Sequence, residues 1–415
     1  MQHAIADAVA ADRAARERFL AELVRVPSDN PPGDCAPAAE RAAVLLEGLG
    51  FAVQRHPVPS ERVRAVGMRS VTNLIVRRRF GDGPVIALNA HGDVVPPGEG
   101  WSHDPYGAAI VDGWMYGRGV AVSKSDFSTY AFALRALEAT RARMRGTVEL
   151  HFTYDEEAGG AIGPKFLLDQ GLSKPDFAIC AGFSYAAVTA HDGCLHLEVE
   201  LRGRSAHAAM PSTGVDALEA TSGVLNALYA SRKDLARRVS AVPGIGSPQL
   251  TIGLIEGGIN TNVVPDRVTF RLDRRIIPEE SAVTVEAELR ALIADAASAT
   301  CGASVTVRRI LLAEPLVPLP GIDRLASLLC RHASVVFGEP IGCKGVPLYT
   351  DARHYAAAGV STVLYGAGPR SIEEANAHRA DERLPLADLH RATEVVALTL
   401  ASLLADEDTA LEGQT

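Results

Sequence analysis

Short apolar runs alternate with amphipathic helical patterns along most of the chain. The apolar runs predict strands at 51–56, 71–78, 85–90, 148–154, 177–180 and 362–365. Helical periodicity predicts one helix ending near Val26 and others at 37–49, 126–139 and 386–404. Strands that are apolar on both faces and interleaved with helices are typical of parallel sheets. We therefore predict an α/β fold, with a mostly parallel sheet covered by helices on both faces.

The order of predicted strands and helices changes between residues 195 and 310. The pattern there predicts, in order, strand 195–201, helix 214–232, strand 249–256, strand 266–273, helix 279–297 and strand 303–310. This βαββαβ order is the ferredoxin-like arrangement. We predict a catalytic domain in two parts, 1–193 and 311–415, with a ferredoxin-like domain inserted at 194–310.

Composition and charge exclude several classes of protein. The chain has 415 residues, is 47% hydrophobic and carries a formal charge of −9, so it is neither disordered nor a basic nucleic-acid binder. Its six cysteines are widely spaced, which indicates reduced thiols. No window offers about 18 uncharged apolar residues, and the N-terminus lacks a signal-peptide pattern. We expect a cytoplasmic protein with no nucleic-acid or membrane partner.

Three of the predicted strands lead into residues of types that commonly bind metal ions in proteins. One runs into His91 and Asp93, another into Glu156 and Glu157, and the last leads through a glycine-rich turn to His378. In open α/β sheets, ligands bind at the carboxyl ends of the strands. Two imidazoles and a carboxylate form a common zinc ligand set, and a second glutamate is then free to act as a base. A solvated acidic loop is the alternative interpretation of the two glutamates.

The chain resembles the M20 metallopeptidase and aminoacylase family, which includes carboxypeptidase G2-like, desuccinylase-like and aminoacylase-like enzymes. The resemblance extends from about residue 19 to about 404. It rests on these segments: FLAELVRVPSDNPPG, HGDVVPPGEGWSHDPY, DGWMYGRG, YDEEAGG, RGRSAHAAMPSTGVDA, GGINTNVVPDRVTFRLDRRIIPEES and AHRADERLP. It implies a catalytic α/β domain with an inserted lid that usually dimerises. We therefore expect self-association, as a dimer through the lid or as a higher oligomer.

The resemblance also implies roles for the residues at the strand ends. His91, Glu157 and His378 become metal ligands, Glu156 the general base, and Asp93 the partner of the His91 ring.

Three residues of the inserted domain take roles from the same resemblance. His207 is implied to steady the oxyanion in the partner subunit's site, and Asn262 and Arg275 to hold a substrate carboxylate. A lid-surface or dimer-contact role is the alternative for all three.

The family pattern breaks at two positions. The usual bridging aspartate falls on Val122, and a further acidic ligand falls on Gly182. We therefore expect one loosely held divalent ion, for which zinc, manganese and cobalt are all suitable, and a roomier, more apolar pocket beside Phe183 and Tyr185. Substitute ligands remain open among Asp126, His103, His191, Asp192 and Asp351.

These features predict a metal-dependent hydrolase of a C–N amide bond in a small carboxylate-bearing substrate. An aminohydrolase that releases ammonia from an activated aromatic amine, such as an anthranilate-type acid, is the first alternative. A degenerate relative that serves as a non-catalytic binding or scaffold protein is the second.

Overall fold

The chain divides into two compact units in the computed structural model, which describes residues 1–405. The first unit comprises Met1–Thr189, Pro318–Lys344 and the described residues from Thr350 onward. The second comprises Ala190–Val317 and Gly345–Tyr349. The second unit is thus longer than the predicted 194–310 insert and includes a short segment that returns to it later in the chain.

Helices surround a large sheet in the first unit. They are α1 (Gln2–Ala11), α2 (Arg13–Val24), α3 (Ala36–Gly48), α4 (Ser60–Ala65), α5 (Lys124–Ala139), α6 (Pro164–Asp169), α9 (Ile322–Phe337), α10 (Ala352–Ala357), α11 (Ile372–Ala375) and α12 (Leu386–Leu404), with α7 and α8 lying in the second unit. The large sheet contains β1 (Val53–Pro57), β2 (Thr72–Arg79), β3 (Val85–His91), β6 (Thr147–Thr153), β7 (Phe177–Cys180), β8 (Ala187–His191), β13 (Cys343–Val346) and β14 (Ser361–Leu364).

The centre of the large sheet is parallel, as the apolar runs predict. Its order is β1-β2-β6-β3-β7-β14-β8-β13, and the pairs β6–β3, β3–β7 and β7–β14 are parallel. Towards the edges, β1–β2, β2–β6 and β14–β8 are antiparallel. All seven residues of β6 are buried, because helices cover both faces of the central strands. The carboxyl ends of β3, β6 and β14 therefore share one edge of the sheet.

Several local features differ from the sequence prediction, which did not include α9, β8 or β13. The N-terminal helix is divided at Asp12 into α1 and α2, and Arg135 of α5 binds the Asp12 carboxylate at this junction (2.6 Å). A small three-stranded antiparallel sheet of β4 (Ala109–Val111), β5 (Trp114–Tyr116) and β15 (Arg383–Pro385) was not predicted. Its strands have three residues each, too few for hydrophobic alternation to identify.

The second unit has the predicted βαββαβ order. Its elements are β9 (Gly193–Arg202), α7 (Ala217–Leu235), β10 (Leu250–Gly257), β11 (Arg267–Ile276), α8 (Ala282–Ser298) and β12 (Ser304–Ala313). The four strands form an antiparallel sheet in the order β10-β11-β9-β12, which is the ferredoxin-like topology. Both helices have a side-chain N-cap: Asp216 accepts backbone N–H groups of the first turn of α7, and Ser281 does the same for α8.

Across residues 1–405, none of the helices combines the length and the apolar character that a membrane crossing needs.

Candidate metal centre

His91 ends β3, and its ring is oriented by the residue two positions later. Its Nδ1 lies 3.1 Å from the backbone oxygen of Asp93 and 3.3 Å from Asp93 Oδ1. The Ser123 hydroxyl holds the His91 backbone by bonding both its N–H (3.1 Å) and its carbonyl (3.0 Å). With Nδ1 occupied by Asp93, Nε2 is the nitrogen left to bind a cation.

The Asp93 carboxylate joins the His91 loop to the two glutamates. It is fully buried and accepts the backbone N–H groups of Glu156 (3.2 Å) and Glu157 (3.1 Å). The side-chain amide of Asn30 donates to the same carboxylate (3.0 Å). Asp93 thus fixes the backbone after β6 beside the end of β3.

The residues expected from the strand ends come together within the first unit. One potential ligand atom from each of His91, Glu156 and Glu157 lies within 4.8 Å of the others. The Nε2 atom of His378 lies 3.4 Å from Glu157 Oε1. One imidazole and two carboxylates are therefore close enough to share one divalent transition-metal ion, and the His378 ring, whose side chain is 52% exposed, lies next to Glu157.

The electrostatics of the cluster follow from burial and from the concentration of acids. Burial, together with the neighbouring Glu157 and Asp93, raises the pKa of Glu156 to about 8 against the opposing effect of His91. Burial lowers the pKa of His91, but the carboxylates of Asp93, Glu156 and Glu157 outweigh it and raise that pKa well above 6.5. The hydrogen bond to Glu157 raises the pKa of His378. Neighbouring carboxylates therefore favour the protonated form of both imidazoles.

A buried ion pair connects the His378 loop to the segment that contains Val122. Arg118 and Glu382 are each 1% exposed, and their closest N–O distance is 2.7 Å. The other oxygen of Glu382 accepts the N–H groups of Ala121 (3.0 Å) and Val122 (3.2 Å). Glu382 thereby positions the backbone at which the family pattern is broken.

The two altered positions differ in kind. Val122 has a half-buried aliphatic side chain, which cannot bind a cation. At Gly182 there is no room for a side chain, because a Cβ there would lie 2.8 Å from Leu364 Cβ and 2.9 Å from Tyr365 N. The expectation of a roomier pocket is therefore wrong at Gly182. Tyr185, also expected there, donates instead to Asp388 (2.9 Å).

The five possible substitute ligands have different environments. Asp126 accepts backbone N–H groups on both oxygens, from Ala367 (2.6 Å) and Gly182 (3.3 Å). The ring of His103 lies against Tyr116, with 4.5 Å between centroids.

The remaining three candidates are His191, Asp192 and Asp351. His191 and Asp192 belong to the second unit, where His191 Nδ1 contacts the Asp192 backbone oxygen (2.8 Å). Asp351 belongs to the first unit, is 4% exposed, and has no hydrogen-bond partner on either oxygen among residues 1–405.

The second unit brings two of its three expected residues together. The backbone oxygen of Asn262 accepts the N–H of Ala208 (3.0 Å), and His207 pairs with Val263, so His207 and Asn262 are neighbours. Arg275 lies near the far end of β11, eight residues beyond its first residue, roughly 26 Å away along the strand. There it donates to Asp273 (3.0 Å). Asn262 and Arg275 of one chain therefore cannot hold the same carboxylate.

The sequence profile described as Peptidase family M20/M25/M40 matches residues 87–402. The chain belongs to this family. A succinyl-diaminopimelate desuccinylase from Acidiphilium cryptum (strain JF-5) is 27% identical over 385 residues, which cover 90% of this chain and 94% of that protein. As a member of this family, the chain is a metal-dependent C–N bond hydrolase.

Solved structures show the same fold. Human carnosine dipeptidase 1 superposes with a TM-score of 0.76 at 17% identity, covering 97% of this chain and 98% of the other. A dinuclear metal-binding peptidase of the M20 family from Bacillus subtilis gives a TM-score of 0.67 at 16% identity, with 95% and 99% covered.

Sequence reasoning assigned no role to several residues that build the centre. Asn30 and Glu382 lie inside segments that carry the family resemblance, so their motifs signalled them, but their partners are distant in sequence. Ser123 had no such signal, because a hydroxyl bond to a backbone carbonyl leaves no pattern in the sequence.

Proposed function

We propose that this M20/M25/M40 family member hydrolyses the amide bond of a small carboxylate-bearing substrate, such as an N-acyl amino acid or a dipeptide-like amide, with one divalent ion. The cluster of His91, Glu156 and Glu157 carries this proposal, because its ligand atoms lie within 4.8 Å of one another. The desuccinylase and the dipeptidase among the similar proteins act on amide-linked substrates by their names, which supports the substrate class.

The proposal of a single ion rests on the two altered positions. The B. subtilis peptidase is described as dinuclear. Val122 offers this chain no oxygen at the expected bridging position, and Gly182 has no space for one. Zinc, manganese and cobalt all suit a set of imidazoles and carboxylates, so we leave the metal identity to experiment.

The chemistry of the protein residues follows from their positions. His91, Glu157 and His378 would hold the ion, which supplies Lewis acidity that activates water and polarises a carbonyl. Glu156 is the carboxylate left for proton transfer. It takes a proton from the attacking water and delivers it to the departing nitrogen.

We further propose self-association through the second unit, with no nucleic-acid or membrane partner. Its outer strand β10 exposes Leu254 (45%) and Ile255 (50%), and Ile259 just beyond it is 79% exposed. Apolar side chains on an open sheet edge favour pairing with another chain. Because Asn262 precedes the start of β11 and Arg275 lies near its end, a substrate carboxylate held by both would need one residue from each of two chains. The six free thiols agree with a cytoplasmic location.

Metal analysis and a substrate panel test this function. Protein purified without chelator is assayed for bound zinc, manganese and cobalt, and then for amine release from N-succinyl, N-acetyl and dipeptide substrates. We expect one ion per chain and activity on at least one carboxylate-bearing amide. Two ions per chain would contradict the single-ion proposal, and no amide activity with metal bound would contradict the substrate class.

The same panel includes aminobenzoates. The apolar Val122, which precedes the Ser123 that bonds the His91 backbone, favours testing the aminohydrolase alternative, in which water displaces ammonia from an activated aromatic amine. Release of ammonia from aminobenzoates without amide hydrolysis would support that alternative instead.

Mass photometry or analytical ultracentrifugation of the wild type and of a Leu254→Glu/Ile255→Lys variant tests self-association.

A further inference from the structure

Asp351 is a buried carboxylate without a partner. It is 4% exposed, and neither of its oxygens has a hydrogen-bond partner among residues 1–405. Buried carboxylates are normally paired, hydrogen-bonded or bound to a metal ion, because an isolated charge loses its hydration on burial. The free oxygens of Asp351 therefore indicate a group that the protein chain itself does not provide.

The position of Asp351 places it against the loop that carries the catalytic glutamates. A Cβ on Gly160 would collide with Asp351 Oδ1 and with the His354 ring, so only glycine permits this approach. Gly160 follows Glu156 by four positions and bonds back to the Asp155 carbonyl (2.8 Å). Asp351 thus lies beside the loop of the metal centre, within the same unit.

Helix α10, which Asp351 immediately precedes, is anchored to that loop. Arg353 Nη2 donates to the Gly159 carbonyl (2.5 Å), and His354 Nε2 lies 3.0 Å from the same oxygen. On the other side, the Tyr355 hydroxyl contacts His151 Nδ1 (2.8 Å) in the middle of β6. These contacts fix α10 against both β6 and the glutamate loop, which limits the freedom of Asp351 to reach another partner.

Other buried acidic groups surround Asp351. Burial and the neighbouring Glu156 raise the pKa of Asp351 to about 8, while His91 and Arg353 oppose that rise. Asp155 shares this environment, and burial and Asp351 raise its pKa as well. Several buried carboxylates around a few basic groups are typical of a site that holds a multivalent cation.

Two other buried carboxylates of the first unit are less suitable as ligands. Both oxygens of Asp126 are occupied by backbone N–H groups. Asp155 uses one oxygen to accept the Ile162 N–H (2.7 Å). Asp351 is the carboxylate in the first unit, as far as the structure describes it, with both oxygens buried and unpartnered.

We propose that Asp351 supplies a carboxylate to the cation at this centre, replacing negative charge that Val122 and Gly182 do not provide. The proposal rests on the proposed function, since it assumes that His91, Glu157 and His378 hold an ion. It explains how the chain retains a metal after losing two acidic positions. It also gives the unpartnered oxygens of Asp351 a partner, namely the cation.

Metal titration of the metal-free protein tests this proposal. Calorimetric titration with Mn²⁺ and Zn²⁺ compares the wild type with Asp351→Asn, which keeps the shape and removes the charge. His91→Ala reports on the proposed ligand set, and Asp388→Asn serves as a matched control because Asp388 is also buried in the first unit but accepts a hydrogen bond from the Tyr185 hydroxyl (2.9 Å). We expect Asp351→Asn to weaken the Kd at least tenfold, His91→Ala to abolish binding, and Asp388→Asn to leave the Kd unchanged.

Two further measurements separate a ligand from a structural carboxylate. Thermal unfolding of metal-free Asp351→Asn should give a Tm no lower than that of the wild type, with a smaller increase when metal is added. The visible absorption of bound Co²⁺ should also differ between the two proteins at saturation. Should Asp351→Asn fail to fold, Asp351→Glu replaces it. The longer side chain retains the charge, and we expect it to weaken the Kd and change the Co²⁺ spectrum.

Two outcomes would overturn the proposal in distinguishable ways. If His91→Ala loses the metal while Asp351→Asn and its Co²⁺ spectrum match the wild type, Asp351 is not a ligand and the proposed function stands. If the wild type binds no ion that depends on His91, the proposed metal centre fails and the role of Asp351 fails with it.

Discussion

The carboxylate of Asp93 accepts the backbone N–H of Glu157 at 3.1 Å, and this contact ties the loop after β3 to the loop after β6. It brings the imidazole of His91 and the carboxylate of Glu157, both proposed metal ligands, close together although 66 positions separate them in the sequence. The arrangement depends on an acceptor buried at the base of both loops.

Replacing Asp93 with asparagine should weaken both folding and metal binding. The amide has one acceptor oxygen for three N–H donors and turns its NH₂ group towards at least one of them. We expect the free energy of unfolding to fall by about 1–3 kcal/mol and metal affinity to fall roughly 10- to 100-fold. Chemical denaturation and metal titration measure these effects. Asp82→Asn is the control, because the Asp82 side chain is 87% exposed. Unchanged metal affinity would show that the loops hold their positions without Asp93.

Replacing Glu156 with glutamine should abolish proton transfer while sparing the metal. His91, Glu157 and His378 remain, so we expect bound metal to stay near the wild-type amount. We expect kcat on the best amide substrate to fall by roughly 10²- to 10⁴-fold, with a smaller change in KM. Glu99→Gln, at an exposed position, is the control. A kcat within threefold of the wild type would remove Glu156 from the mechanism.

Replacing Val122 with aspartate should strengthen metal retention. The new carboxylate stands at the position of the bridging ligand, on a backbone that Glu382 holds (3.2 Å). We expect slower metal loss to a chelator, more than one ion per chain at saturation, and altered substrate preference. Val122→Asn matches the size without the charge and should show none of these gains. If neither metal content nor substrate preference changes, Val122 does not correspond to the bridging position.

The pH dependence of stability should contain a contribution from His354. Burial, with nearby Arg353, lowers the pKa of His354 to about 3. Between about pH 6.5 and 3 the unfolded ring therefore binds a proton that the folded ring does not. Stability is fully present above about pH 6.5 and falls as the pH decreases, by at most about 1.4 kcal/mol per pH unit for one group.

Denaturant unfolding of metal-free protein at several pH values tests the His354 contribution. His354→Gln can still donate to the Gly159 carbonyl but does not titrate, so its stability should fall less steeply with acid than that of the wild type. His3→Gln, at an exposed position, should follow the wild type. Identical slopes for His354→Gln and the wild type would show that His354 protonates freely in the folded protein.

Local patterns were sufficient for the element types and for the motifs of the centre. Apolar runs marked the central strands, and β7 begins and ends at the predicted residues. The βαββαβ unit was also recognisable, because each element is long enough to show its period. The short strands β4, β5 and β15 and the division between α1 and α2 were missed, since they depend on contacts with distant segments rather than on periodicity.

The amino-acid sequence by itself determined that His91 stands at the end of β3 and that Glu156 and Glu157 follow β6, whereas His378 follows α11. Strand period and chain order fix that arrangement. Only the tertiary structure decided that Asp126 is occupied by backbone donors while Asp351 is buried and unpartnered. It also decided that Leu364 fills the space beside Gly182. Solvation and packing depend on neighbours that are far away along the chain, so no local pattern reveals which carboxylate is left without a partner.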